Sequence, residues 1–325
     1  MMSSGRGPAL AVAASAGPPM GASDQTSPER SGRRARRGAS RGMVFSSYGF
    51  LLPYLLLVGG FGIVPAMYAV VISFSGPNGG FAGFDAYVQT FQDFRYADAF
   101  KNIGIYAFFF IVPSMIVSIG IALLLQGRSD RVGSGLRFAY YLPQALVGAA
   151  GVVAWIFMLN PATSPVGGLM KVFGLENIFQ VLTPAAVPPI LAMIAVWTSA
   201  NAILLMYAAL TSIPAEIIEA ARIDGAGAWT TAFQIKLPML RKWIGYTLIL
   251  NIAAATQLFV EPQILSSATG GAIGDDFSPL QLTYTFAYTY GNFPAAAALS
   301  VQLLAIAGIL AAVVLRKTDM FKVEI

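Results

Sequence analysis

The sequence contains no cysteine and no histidine among its 325 residues, and only 11% of them are charged. Without cysteine there are no disulfides, thiolate zinc sites or cysteine nucleophiles, and without histidine there is no imidazole base. A soluble globular domain carries about 25% charged residues, whereas here 56% are hydrophobic and the mean hydropathy is +0.67. The chain therefore belongs in a membrane, where each spanning segment must satisfy its own backbone, and an all-α membrane protein is expected. A third absence concerns nucleotides. None of the six lysines follows a glycine, so the phosphate-cradling G-x-x-x-x-G-K-[ST] loop is missing. If ATP drives transport through this chain, the ATPase is another polypeptide.

What is present is six apolar runs, each near the roughly 20 residues needed to cross hydrocarbon. They are Tyr48–Phe74, Ile103–Leu125, Phe138–Leu159, Ala185–Leu210, Trp243–Leu265 and Pro294–Leu315. Pro184, Pro188 and Pro189 blur the start of the fourth. Residues 1–42 are rich in Ala, Gly, Ser, Pro and Arg and carry too little apolar surface to fold, so they read as a disordered basic N-tail. Arg30, Arg33, Arg34, Arg36, Arg37 and Arg41 stand just before the first apolar run. A twin-arginine export signal is disfavoured because that run is too long for a signal peptide. An anchor on anionic membrane lipid, at about 1 kcal/mol per basic residue, fits better. Residues 43–325 are then a single six-helix transmembrane domain.

Orientation follows from the positive charges. With both termini inside, the inner segments hold seventeen Lys and Arg, and the outer loops hold only Arg95, Lys101 and Lys171. That bias predicts cytoplasmic termini. It also accounts for the net charge of +5 without invoking nucleic acid. Two outer loops carry features of their own: an interfacial helix around Leu169–Phe179, and an aromatic run of Tyr284, Phe286, Tyr288 and Tyr290 in the loop 266–293.

Between the fourth and fifth runs lies a polar stretch, 211–241, placed in the cytoplasm by the charge count. It reads as two short helices joined at Gly225-Ala226-Gly227, with Pro214 suited to a first helical position and Gly225 to a left-handed stop. It is either an amphipathic linker on the membrane surface or a docking knob for a soluble partner.

The spans carry almost no charge. Glu261 is their one acid, near the outer end of the fifth run, and no Lys, Arg or Asp lies at a span centre. That argues against proton relays and voltage sensing. Uncharged polar groups are there instead: Gln144; Thr198, Ser199 and Asn201; Asn251, Thr256 and Gln257; and Gln302. Each either bonds between helices, worth about 0.6 kcal/mol on average, or faces a water-filled cavity. Together, and with nearby Trp197 and Phe259, they suit a hydroxyl-rich neutral solute.

The segment Glu219-Ala220-Ala221-Arg222-Ile223-Asp224-Gly225-Ala226, followed by Phe233, Ile235, Leu237 and Pro238, resembles the EAA signature of permease subunits in binding-protein-dependent ABC importers. Thr269-Gly270-Gly271, the tyrosine-rich run and Ala295–Ser300 are similar to the carbohydrate branch of that family, typified by maltose and glycerol-3-phosphate permeases. The resemblance covers residues 48 to 320. One departure is Lys242-Trp243, where the family often places a further proline. The resemblance implies an ABC importer permease fold with a cytoplasmic coupling helix, in a bacterial cytoplasmic membrane. Glu219, Ala220, Ala221, Asp224, Gly225 and Ala226 match the motif and inherit the docking of a cytoplasmic ATPase subunit. An extracellular or periplasmic solute-binding protein delivers the solute, and a second, homologous permease completes the pore as a heterodimer. ATP and Mg belong to the ATPase, so this chain holds no cofactor, metal or catalytic residue of its own. Sugar contacts in the family come from the spans flanking the loop, which brings forward Thr198, Ser199, Asn201, Asn251 and Gln257.

Two other classes compete. An ion-coupled secondary carrier or channel would need charge in the spans. An intramembrane enzyme acting on lipid-linked sugars would need a carboxylate or metal site, for which Glu261 or Asp275-Asp276 offer little.

Overall fold

The computed structural model describes residue 49 and residues 51–77, 79–126, 130–271 and 273–318, with the backbone alone at 130–132. The basic N-tail, its boundary at residue 42, Arg128 and Lys322 lie outside these residues. The chain divides into two compact units, Met1–Ile63 and Val64–Ile325. Among the described residues the structure is helical, with one isolated bridge between Ser75 and Phe81.

The division falls inside the first long apolar helix, Leu51–Ile72 (α1). The described part of the first unit includes a π-helical turn at Val58–Ile63, none of it buried. The second unit begins with the rest of α1 and continues through Asp85–Gln92 (α2) and Phe94–Leu125 (α3). Asp93 starts α3 by accepting from the Arg95 backbone N–H at 2.9 Å and from the guanidinium at 2.9 and 2.8 Å. The Arg95 hydrogen bond holds the Asp93 carboxyl below the usual carboxylate range.

The third apolar run is not a straight span. Asp130–Tyr141 (α4) passes through a 3₁₀ turn at Leu142–Leu146 into Ala149–Leu159 (α5), and the two halves meet at 97°. Gly148 makes the bend at φ 82° and ψ −149°, a region that only glycine enters freely. α5 has 11 residues, about 16 Å at 1.5 Å each, and is too short to cross hydrocarbon alone.

The fourth run is also broken, by 50°, between Val187–Trp197 (α6) and Ala200–Thr211 (α7). Thr198 and Ser199 supply the reason. The Thr198 hydroxyl donates to the carbonyls of Ile194 and Ala195, and Ser199 Oγ donates to Val196 at 2.7 Å. Such back-bonding bends a helix and leaves its freed carbonyls satisfied.

After the polar stretch come Arg241–Thr256 (α9, numbered after the loop helix Ala215–Ile223, α8) and Val260–Ala268 (α10), separated by Gln257–Phe259. Pro262 has no N–H for the carbonyl of Leu258, and Ser278 Oγ donates to that carbonyl instead at 2.7 Å. Pro279–Tyr284 (α11) follows, capped by a reciprocal Ser278–Gln281 box. It runs into a π-helical turn at Thr285–Thr289, so much of the aromatic run expected in a loop is helical. Phe293–Thr318 (α12) closes the chain. The interfacial helix expected around Leu169–Phe179 is two short ones, Gly167–Val172 and Ile178–Val181, parted by Gly174 at φ 78°.

Among the described residues four helices are long and apolar enough to cross a membrane, or up to six if each bent pair counts as one span. Among the described residues three apolar clusters hold the second unit together. The largest joins Tyr106 and Phe110 of α3 to Val152, Leu191 and Leu265. A second packs Ala99 against Leu282, Ala295 and Leu299, where small residues let α12 come close. The third gathers Ala122, Met206, Leu210 and Leu240 at the far ends of α3 and α7.

Candidate functional site: a cavity at three helix breaks and a capped loop

All three interruptions face one cavity of ≈ 400 Å³. Gln144 and Val147 reach it from the α4–α5 bend, Thr198, Ser199 and Asn201 from the α6–α7 break, and Gln257 and Leu258 from the α9–α10 break. Non-helical backbone at membrane depth is tolerated where it lines protein or a wet cavity, and broken helices are where transporters place solute sites. The five residues singled out as a solute pathway, Thr198, Ser199, Asn201, Asn251 and Gln257, all line this space.

Their hydrogen bonds fix what they can offer. Thr198 and Ser199 spend their protons on backbone carbonyls and turn oxygen lone pairs outward. Gln257 ties its amide N–H to the Ala253 carbonyl at 3.1 Å. Asn251 is only 7% exposed and its amide leans on Ser114 Oγ at 3.4 Å. Among the described residues Gln144 Oε1 is buried without a hydrogen-bond partner, an acceptor left open at the cavity edge. Gln144, Thr247, Tyr106 and Glu261 all line the site and were not in the expected pathway. Gln144 was visible as an amide in an apolar run. Glu261 looked peripheral only because the fifth span reads as unbroken.

Two expected neighbours are elsewhere. Trp197 packs edge-on to Trp155 at 5.5 Å, and Phe259 lies 5.5 Å from Tyr284. The aromatic wall is Tyr106 and Phe110, stacked at 5.7 Å. Gln302 is also remote, accepting from Tyr96 at 2.8 Å and donating to Thr90 at 2.9 Å, so it serves interhelical bonding. Asn251→Ala and Gln257→Ala should each reduce solute uptake about tenfold, with unchanged abundance in the membrane. A hydrogen bond to a neutral solute is worth on the order of 1 kcal/mol and an orphaned polar partner more. Uptake at the parent rate would return both residues to packing.

The polar stretch has a geometry of its own. α8 ends in a Schellman arrangement. The Ala226 N–H donates to Ala221 at 2.9 Å and the Gly225 N–H to Arg222 at 3.0 Å, with Gly225 at φ 80°. Ala221 is buried, while Glu219, Ala220, Asp224 and Gly225 are exposed and Ala226 is half-buried. Beyond Gly227 a helical run passes from Ala228–Thr230 into a π-helical Thr231–Lys236. Pro238 cannot donate to Gln234, and the run widens just before it. Ile223 is 86% exposed and Trp229 77%, with the Phe233 ring tilted against Trp229 at a centroid distance of 4.3 Å. Exposed apolar groups gathered on a charged loop mark an interaction surface.

The loop is fastened to the helices that border the cavity. Lys236 Nζ donates to Gln126 Oε1 at 2.6 Å, and Gln126 Nε2 donates to the Leu210 carbonyl at 3.2 Å. Burial, and then the positive charge of Arg222, lower the Lys236 ammonium below its ordinary value. Buried Leu240 adds an apolar anchor in the same place. α3 and α7 end at this clamp, and their other parts carry Tyr106, Phe110, Asn201 and Leu205 to the cavity. The loop is thus hydrogen-bonded at the ends of two helices whose other parts line the cavity.

Comparison with known proteins gives a consistent result. The family described as "Binding-protein-dependent transport system inner membrane component" matches residues 104–319. The sn-glycerol-3-phosphate transport system permease protein UgpA of Escherichia coli O6:K15:H31 is 31% identical over 258 residues, which are 73% of this chain and 81% of that protein. The diacetylchitobiose uptake system permease protein NgcF of Streptomyces coelicolor is 28% identical over 255 residues, 73% of this chain and 70% of that one. A bacterial ABC transporter that imports the acidic polysaccharide alginate has the same fold, with TM-score 0.73 and 20% identity over 88% of this chain and 98% of its own.

Proposed function

The chain belongs to the binding-protein-dependent transport system inner membrane components, and from that premise we propose that it is the permease subunit of an ATP-driven importer of a sugar or sugar-like solute. The observation that carries the reading is the bonded connection between the capped loop and the cavity through Lys236, Gln126 and the ends of α3 and α7. In this reading the segments form six spans, two of them bent, with both termini cytoplasmic as the Lys and Arg distribution favours. The membrane is the bacterial cytoplasmic one. The loop 211–241 is the coupling element, and Ile223 and Trp229 seat in a groove on a separate ATPase subunit. ATP and Mg²⁺ act there, and this chain catalyses nothing itself.

A solute-binding protein docks on the outer side. One solved relative, the alginate ABC transporter, is in complex with an alginate pentasaccharide-bound periplasmic protein. A second, homologous permease covers apolar faces that this chain leaves open, including α1, whose large side chains are exposed along its length. The cavity chemistry, amides and hydroxyl oxygens beside an aromatic wall, suits a polyhydroxylated solute.

Uptake by membranes carrying the whole transporter tests this reading. It should be abolished by vanadate and survive an uncoupler. Uptake abolished by the uncoupler and indifferent to vanadate would assign the chain to an ion-coupled carrier.

A further inference from the structure

The polar lining of the cavity is uneven in charge. Among the described residues that line it, Thr198, Ser199, Asn201, Asn251 and Gln257 are neutral, Glu261 is the one carboxylate, and there is no Lys or Arg. At two of the three breaks the helix ends do not offset that charge. At the α6–α7 break, and again at α9–α10, a negative C-terminal end meets a positive N-terminal end, each roughly half a charge, so the two largely cancel. Among the described residues the salt bridge between Arg95 and Asp93 lies elsewhere, and no hydrogen bond or ion pair engages the Glu261 side chain. Glu261 thus carries the one formal side-chain charge among the described residues that line this space. In a partly desolvated site, where the effective dielectric constant is about 20 rather than 80, one such charge acts strongly on a solute a few ångströms away.

We propose that Glu261 is a charge filter, admitting neutral and cationic hydroxyl-rich solutes to the cavity and rejecting anionic ones such as sugar phosphates and uronates. The inference rests on reading the cavity as the solute pathway. It sets this chain apart from relatives whose named solutes, glycerol 3-phosphate and alginate, are anions, and nearer to one whose named solute, diacetylchitobiose, is neutral.

The absence of cysteine provides the test. Asn201 is exposed at the cavity and its side chain makes no hydrogen bond among the described residues, so Asn201→Cys creates a single reporter thiol in this chain. Ser199→Cys gives a second, conservative reporter should the first fail to accumulate. Membranes holding the full transporter are treated with neutral, cationic and anionic methanethiosulfonates, and modification of this chain is read by mass. Relative to their rates on a free thiol, the cationic reagent should react at least tenfold faster than the anionic one. Adding Glu261→Gln should bring that ratio back to the free-thiol value. A ratio already at the free-thiol value, a ratio that Glu261→Gln leaves unchanged, or reporters that react with none of the reagents would overturn the proposal. The readout needs no transport, so vanadate-insensitive uptake would sink the importer reading while leaving this result to stand or fall separately.

Discussion

Replacing Gly225 by proline is expected to lower ATP-driven uptake by about a hundredfold while the chain remains inserted at normal abundance. Proline holds φ near −65°, whereas Gly225 sits at +80° and donates its N–H to Arg222. The substitution removes that bond and forces the backbone out of the left-handed region, so the Ala226–Ala221 bond that follows is lost with it. Together these changes cost roughly 3 kcal/mol of local order, which corresponds to about two decades in a coupling equilibrium. The loop would remain in place, clamped by Lys236 and Leu240, but Ile223 and Trp229 would no longer be presented together. Gly225→Ala keeps the N–H and meets no neighbouring atom, so its loss should be about tenfold smaller. Glu219→Lys, which reverses an exposed charge, should likewise reduce co-purification with an ATPase subunit. An intact complex that transports normally with Gly225→Pro would show that the loop is not a docking element.

The second large effect is expected at Gly151. A Cβ there would fall on the backbone carbonyl of Leu146, an atom with no freedom to withdraw. Relief requires opening the 97° bend between α4 and α5, and overpacking of this kind costs about 1–3 kcal/mol or more. Because Leu146 adjoins Val147 and is two residues from Gln144, the same movement would displace both from the cavity. Gly151→Ala should thus lower the unfolding temperature in detergent and reduce uptake further than Asn251→Ala. Parent-like melting together with parent-like uptake would contradict the geometry of the bend.

The contrast between these two glycines shows what was legible in the sequence. Gly225 follows an amphipathic turn and precedes a second helical run, so its role as a stop could be read from order alone. The φ of +80° and the two Schellman bonds agree with that reading. Gly148 and Gly151 sit within an apolar run that satisfies every compositional test for a span. Composition measures transfer into lipid, and it is indifferent to a carbonyl that must be avoided five residues back. The other breaks were hidden for a related reason. Pro262 announces a missing donor, but the group that compensates, Ser278, is 16 residues further on and becomes a neighbour only through the fold.

The solute pathway was legible as chemistry and less so as geometry. Uncharged polar groups in charge-poor spans are costly unless sheltered, and that alone selected Thr198, Ser199, Asn201, Asn251 and Gln257, all of which meet at one cavity. The same reasoning included Thr256 and Gln302, which are satisfied locally or between helices and lie outside it. Adjacency along the chain was a poor guide to facing. Trp197 precedes Thr198 and Phe259 is two residues from Gln257, yet both rings turn to aromatic partners away from the cavity. Glu261 was read as terminal because the unwinding at Gln257–Phe259, which brings it to the lining, has no signature in hydropathy.

The central claim is that the loop around Ile223 delivers the work of a separate ATPase to the cavity. Since the chain has no cysteine, Ile223→Cys offers a unique attachment point for a photoactivatable cross-linker at an 86% exposed position. Mass spectrometry after illumination of the assembled transporter should identify a nucleotide-binding subunit joined to this residue, with a yield that changes when ATP is added. Cross-links to lipid alone, or to a protein without a nucleotide site, would contradict the account.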